Sequence, residues 1–170
     1  HDAMARRPGS FVQVTGAFAQ AKRVNPDFNG YINSVITRLN VDRLPDTVRY
    51  ARDMGAKLMV ISNLTPEGLG FDDYERLTVR LEQLAEVLPS IPDVAGDMTV
   101  RFFGVPMCLL GPHRMLSNDL HWDPRVTVEW GDLPGKVAFQ GFYNWTPDRK
   151  RVHAKECTGC AWNTVCMGVY

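Results

Sequence analysis

Two short runs decide how this chain is read: Tyr31-Ile32-Asn33-Ser34-Val35-Ile36-Thr37 and Lys57-Leu58-Met59-Val60-Ile61-Ser62. Both are rich in β-branched residues, which sit well on a pleated surface and favour strands. Between them Leu44, Val48, Ala51 and Met54 recur at helical spacing. Pro45 suits a first helical turn and Gly55 the position just past the last one. Strand, helix and strand within about thirty residues predict a βαβ unit. The two strands are then parallel, because a parallel return needs a crossover of that kind.

The pattern extends on both sides. Upstream, Ser10 and Gln13 have the form of a capping box, and Val14, Ala17, Phe18 and Ala21 form a helical stripe that stops at Asn25-Pro26. Downstream, Asp72 with Glu75 makes a second capping pair. It opens one long helix with Tyr74, Leu77, Leu81, Leu84, Ala85 and Leu88 on its buried face, ending at Pro89. Met98 to Phe103 is a third strand. The first hundred residues predict α-β-α-β-α-β, with functional loops at the C-terminal ends of the strands. After Pro106 the chain changes character: Val126, Val128 and Trp130, then Val137 and Phe139, alternate around a turn-rich Gly131 to Gly135 and predict a β-hairpin.

The 170 residues are 45% hydrophobic and 22% charged, enough for a real core. Nineteen basic residues balance nineteen acidic ones, which speaks against a nucleic-acid partner, since phosphate contacts need a basic surplus. No apolar run approaches the roughly 20 residues of a membrane span, and no targeting peptide is visible, so a cytoplasmic protein is expected. The chain opens His1-Asp2 rather than with Met, and it reads as a piece of something longer. All four Cys (108, 157, 160, 166) and all four Trp (122, 130, 145, 162) lie after residue 107.

The segment Glu156-Cys157-Thr158-Gly159-Cys160-Ala161-Trp162-Asn163-Thr164-Val165-Cys166 reads C-x2-C-x5-C. A two-residue spacer lets two thiolates curl round one centre, and a third can close it. Soft sulfur donors select zinc or an iron–sulfur cluster. The spacing favours metal over disulfides. A fourth ligand is needed, and Cys108 and His153 compete for it: four thiolates suit a [4Fe-4S] cluster, three with a His suit Zn. His113 and His121 beside Asp119 and Asp123 form a weaker candidate cluster, and Arg101, inside a buried strand, needs a carboxylate or a substrate to meet it.

The cysteine tail, ending Cys166-Met167-Gly168-Val169-Tyr170, resembles the auxiliary-cluster region of radical S-adenosylmethionine (radical SAM) enzymes, of the SPASM or twitch type. The stretches His1 to Phe11, Ile32 to Asn40 and Lys57 to Gly68 resemble parts of the barrel of that superfamily. The resemblance implies the C-terminal portion of a partial (β/α)6 TIM-like barrel over 1–107 and a cysteine-rich auxiliary domain over 108–170. It implies an oxidoreductase acting by radical chemistry on a peptide or small-molecule cofactor precursor, with a possible electron-donor protein and no membrane or nucleic-acid partner. Cys157, Cys160, Cys166 and Cys108 would hold the auxiliary cluster. Asn40, Thr37, Pro66 and Gly68 would face S-adenosylmethionine in the intact parent. The catalytic residues are not identified. The family's C-x3-C-x2-C loop is missing from this sequence, and Tyr170 stands where a full SPASM motif has another Cys, so one auxiliary cluster is expected and this segment alone would be inactive. A non-catalytic zinc or iron–sulfur module is the alternative.

Overall fold

The structure, a computed structural model, describes residues 1–66, 68–121, 126–133, 136–143 and 151–170, with 69 and the hairpin strands described as backbone. Trp122, Asp123 and Trp145 lie outside the described residues. The elements are α1 (Asp2–Ala5), α2 (Ser10–Val24), β1 (Tyr31–Ile36), α3 (Leu44–Asp53), β2 (Leu58–Asn63), α4 (Leu69–Asp72), α5 (Tyr74–Leu77), α6 (Leu81–Val87), α7 (Ile91–Ala95) and β3 (Thr99–Phe103), then β4 (Val126–Leu133) and β5 (Lys136–Tyr143).

The expected α/β architecture is present. The three strands form one sheet in the order β1-β2-β3, all parallel, with Ile32 opposite Met59 and Met59 opposite Val100. One face is sealed: Ile36, Met59, Ile61 and Phe102 join Leu44, Val48, Leu84 and Ile91 of the helices in a single apolar cluster with no exposed surface. Burying side chains of this size is the main favourable contribution to the fold. The register puts Tyr31, Asn33, Val60, Ser62, Arg101 and Phe103 on the other face. There Ser62 Oγ donates to Asn33 Oδ1 at 2.8 Å, and Tyr31 is 69% exposed. A parallel sheet normally has both faces covered; among the described residues this second face is partly covered, with Ser62 buried and Tyr31 and Asn33 exposed.

α3 ends as its sequence predicts. Gly55 takes φ +83°, its N–H donates to the Arg52 carbonyl at 2.8 Å, and that of Ala56 to Ala51 at 3.1 Å. This is the Schellman closure, which a residue with a Cβ enters at a cost. Lys22 Nζ of α2 donates to the Met54 carbonyl at 3.3 Å and ties the two helices together.

Five helical expectations need correction. Ser10 does not cap α2: Gly9 is the cap residue, and the Asp2 carboxylate reaches back to accept from Gly9 N–H (2.7 Å), Phe11 N–H (2.7 Å) and Ser10 Oγ (2.9 Å). The α2 stripe is not buried either. Phe18 rests on Gly30, but Val14 is 57% exposed, because β1 is the sheet edge and no described strand lies beyond it. The long helix from Tyr74 is broken, with Thr78 and Arg80 extended between α5 and α6. Arg38 explains the break: its N–H donates to the Leu77 carbonyl (2.9 Å) and its Nε to that of Thr78 (2.7 Å), replacing helical donors. Asp73, not Asp72, starts α5, with its carboxylate bound to Arg6 and Arg76. Pro89 does not end the helical stretch, which continues through a 3-10 turn into α7.

The expected hairpin is present, β4 pairing antiparallel with β5 and Val126 opposite Tyr143. Among the described residues no helix is long and apolar enough to cross a membrane.

Candidate metal centre

The tail returns to the C-terminal end of the sheet. Val152 and Val169 form an antiparallel bridge, with N–H to carbonyl distances of 2.7 and 2.9 Å, and this bridge closes residues 152–169 into a loop. Inside it, tight turns follow one another: Cys160 N–H donates to the Cys157 carbonyl (3.0 Å), Asn163 N–H to Cys160 (3.1 Å) and Cys166 N–H to Trp162 (2.8 Å). These turns bring the sulfurs of the C-x2-C-x5-C motif round to one side.

Cys108 arrives from elsewhere, in the 3-10 segment Met107–Leu116 that follows β3. One cavity of about 420 Å³ is lined by Cys108, Cys157, Cys160 and Cys166 together. All four are free thiols. Burial, then the nearby Cys166, Cys157 and Cys160 sulfurs, raise the Cys108 thiol above its ordinary range. Trp162 N–H donates to Cys160 Sγ at 3.4 Å, the kind of bond that tunes a cluster sulfur. Trp162 itself borders the cavity, as does Asn163, whose Oδ1 is buried with no partner among the described residues.

His153 also borders the cavity, but its Nε2 donates to the Cys166 carbonyl at 2.7 Å. A carbonyl only accepts, so that nitrogen carries the proton, and Nδ1 is the ring atom left to act as a donor to a metal. Among the described residues no three His, Cys, Asp or Glu side chains converge on a single metal ion. The His113, His121 and Asp119 group is not one: Asp119 is taken by Arg151, and His121 Nε2 bonds the Met115 carbonyl at 3.4 Å. Among the described residues, Arg101 Nη1 donates to the Met115 carbonyl at 3.4 Å.

Arg151 gave no signal in the sequence, since it follows Arg149-Lys150 and reads as part of a solvated run. Its side chain is 2% exposed and that of Asp119 is 1% exposed. The pair is bidentate, Nη1 to Oδ1 at 2.9 Å and Nη2 to Oδ2 at 2.8 Å. The same guanidinium donates to the Gly168 carbonyl, and Asp119 Oδ2 accepts from Met167 N–H at 3.3 Å.

Two of the four residues expected at the cofactor of the parent, Thr37 and Asn40, lie together at the end of β1. Asn40 clasps the end of β1: its Oδ1 accepts from Thr37 N–H at 2.8 Å and its Nδ2 donates to the Val35 carbonyl at 2.8 Å. It edges a cavity of about 840 Å³ with His1, Asp2 and Asn33, while Thr37 lines a neighbouring one of about 530 Å³. Pro66 and Gly68 line neither.

No protein-family model, curated protein or solved structure matches the chain. Its fold and site define an α/β protein with four free thiols round one cavity at the C-terminal side of a parallel sheet.

Proposed function

We propose that this chain is part of a radical SAM oxidoreductase. Residues 1–107 are the last portion of its partial (β/α)6 barrel, and residues 108–170 are a twitch-like domain holding one auxiliary [4Fe-4S] cluster on Cys108, Cys157, Cys160 and Cys166. The observation that carries this reading is the single cavity shared by all four sulfurs, one of them drawn from a distant part of the chain.

The donor set fits the group. The four thiols suit an iron–sulfur cluster, and Glu156 and His153 line the same cavity. A zinc ion with Zn–S bonds of about 2.3 Å needs its donors almost in contact. All four cysteines line one space of about 420 Å³. The Trp162 N–H on Cys160 adds a donor that a cluster sulfur uses. Among the described residues, the partly exposed second sheet face and the exposed stripe on α2 agree with a sheet that is part of a larger barrel. When bound, the cluster supplies a one-electron centre beside the substrate. The substrate class proposed is a peptide or a cofactor precursor, in a cytoplasmic enzyme served by an electron-donor protein.

Anaerobic reconstitution with iron and sulfide tests this directly. We expect four irons and four sulfides per chain, broad visible absorbance and a paramagnetic signal on reduction. Stoichiometric zinc with no sulfide uptake would favour the zinc module and remove the cluster.

A further inference from the structure

The Asp119–Arg151 pair joins two parts of the chain that must meet for four thiols to act together. Asp119 stands in the short 3-10 turn after the segment that carries Cys108. Arg151 precedes the loop that carries the other three, and the guanidinium also grips that loop at its far end, through the Gly168 carbonyl at 2.9 Å. Asp119 reaches the same place through Met167 N–H, one residue past Cys166. Tyr170 closes the arrangement, its ring 5.6 Å from the Arg151 guanidinium carbon.

We infer that Asp119 and Arg151 are positioning residues that fix Cys108 relative to Cys166 and so make it the fourth ligand; this rests on the cluster reading above. The physical basis is rigidity. Both carboxylate oxygens and the guanidinium fork are engaged, and both side chains are withdrawn from water. A paired fork has one geometry, whereas a lone ammonium is a point charge with rotatable donors. A buried ion pair is weak evidence of stability in itself, because an apolar pair of similar size often replaces it without loss. Its position here, spanning the junction between Cys108 and the cysteine loop, places a constraint on geometry.

The test uses the full chain, reconstituted with iron and sulfide, in four forms: wild type, Cys108→Ser, Arg151→Lys, and the apolar double variant Asp119→Leu/Arg151→Met. Cys108→Ser calibrates loss of the fourth thiolate: on one-electron oxidation with ferricyanide its cluster releases one Fe2+, so iron falls from four towards three while sulfide stays at four, with the oxidised [3Fe-4S] signal in electron paramagnetic resonance. Arg151→Lys keeps the charge but loses the fork, and we expect the same signature. The double variant separates positioning from stability. It is expected to melt at or above the wild-type temperature and still show the three-iron signal. If either Arg151→Lys or a stably folded double variant loads four irons with the wild-type spectrum, the positioning role is overturned. If Arg151→Lys does not fold, the double variant decides, and an unfolded double variant would equally overturn the inference by showing the pair to be needed for folding. A wild-type chain that takes up no cluster overturns the cluster reading itself, a result distinct from any of these.

Discussion

The Arg114 guanidinium carbon lies 5.4 Å from the centre of the Trp162 ring. A cation from the segment after β3 thus covers the indole inside the cysteine loop, and its Nε is held by the Gly111 carbonyl at 3.1 Å. Both residues border the cavity of the four sulfurs.

This placement has an electrostatic consequence. A fixed positive charge beside a cluster favours its reduced, more negative state, and net charge is one of the factors that set cluster potential. Arg114→Gln should therefore lower the reduction potential, and Arg114→Lys should restore most of it. The cation–π contact itself contributes about 0.5–1 kcal/mol where partly exposed, so the fold should survive. Redox titration of the loaded protein checks this; an unchanged potential in Arg114→Gln would sink it.

Gly104 is held at φ +67° at the end of β3, and a Cβ there would stand 3.1 Å from the Tyr170 ring. Left-handed backbone costs a residue with a Cβ about 1–2 kcal/mol, and the crowded ring adds to it. Gly104→Ala should lower the melting temperature and loosen the C-terminal tail. Faster amide exchange at Val152 and Val169, whose bridge holds the tail, would report that loosening; an unaffected bridge would contradict it.

Asn40 makes two bonds of 2.8 Å to the backbone around the β1 exit. Asn40→Ala leaves the Thr37 N–H and the Val35 carbonyl unpaired at a half-buried position, which should cost about 1–3 kcal/mol. Asn40→Asp retains the acceptor for Thr37 but loses the donor to Val35, so its loss should be intermediate or greater, never nil. Chemical denaturation of the two variants measures this. Wild-type stability in Asn40→Ala would return the residue to the expected role of cofactor ligand.

The Asp2 carboxyl is held below its ordinary value of 3.8, chiefly by the Phe11 N–H, then by the Gly9 N–H and the Ser10 hydroxyl. A carboxylate lowered in the folded state contributes stability above its ordinary value, and that contribution is lost as pH falls through the lower folded value. The start of α2 should therefore fray only below about pH 4. In Asp2→Asn it should be weakened at neutral pH and lose that dependence. Amide exchange at Phe11, followed from pH 5 to pH 2, checks both; equal protection in the two proteins at pH 5 would refute the cap.

Much of the fold was legible because it is local. The β-branched runs, the Pro45 and Gly55 punctuation and the C-x2-C-x5-C spacing each act over a few residues, and β1, β2, β3, the Schellman end of α3 and the hairpin all formed where expected. The errors were at places where a distant residue competes for a local bond. Asp2 took the cap assigned to Ser10, and Arg38 took the carbonyls that would have carried α5 into α6. Asp119 looked like a metal ligand in a loop until Arg151 appeared opposite it.

The sequence by itself determined the periodicities, hence the parallel α/β unit, and the presence of three closely spaced thiols, whose softness belongs to the side chains themselves. The tertiary structure decided what stands beside them. Along the chain Cys108 was the favoured fourth donor and His153 its competitor. The return of the tail to the end of β3, pinned by Asp119 and Arg151, placed the Cys108 thiol in the cavity and turned His153 Nε2 to the Cys166 carbonyl. Ligand choice is a matter of distance across a cavity, and distance between remote segments exists only once the chain has folded.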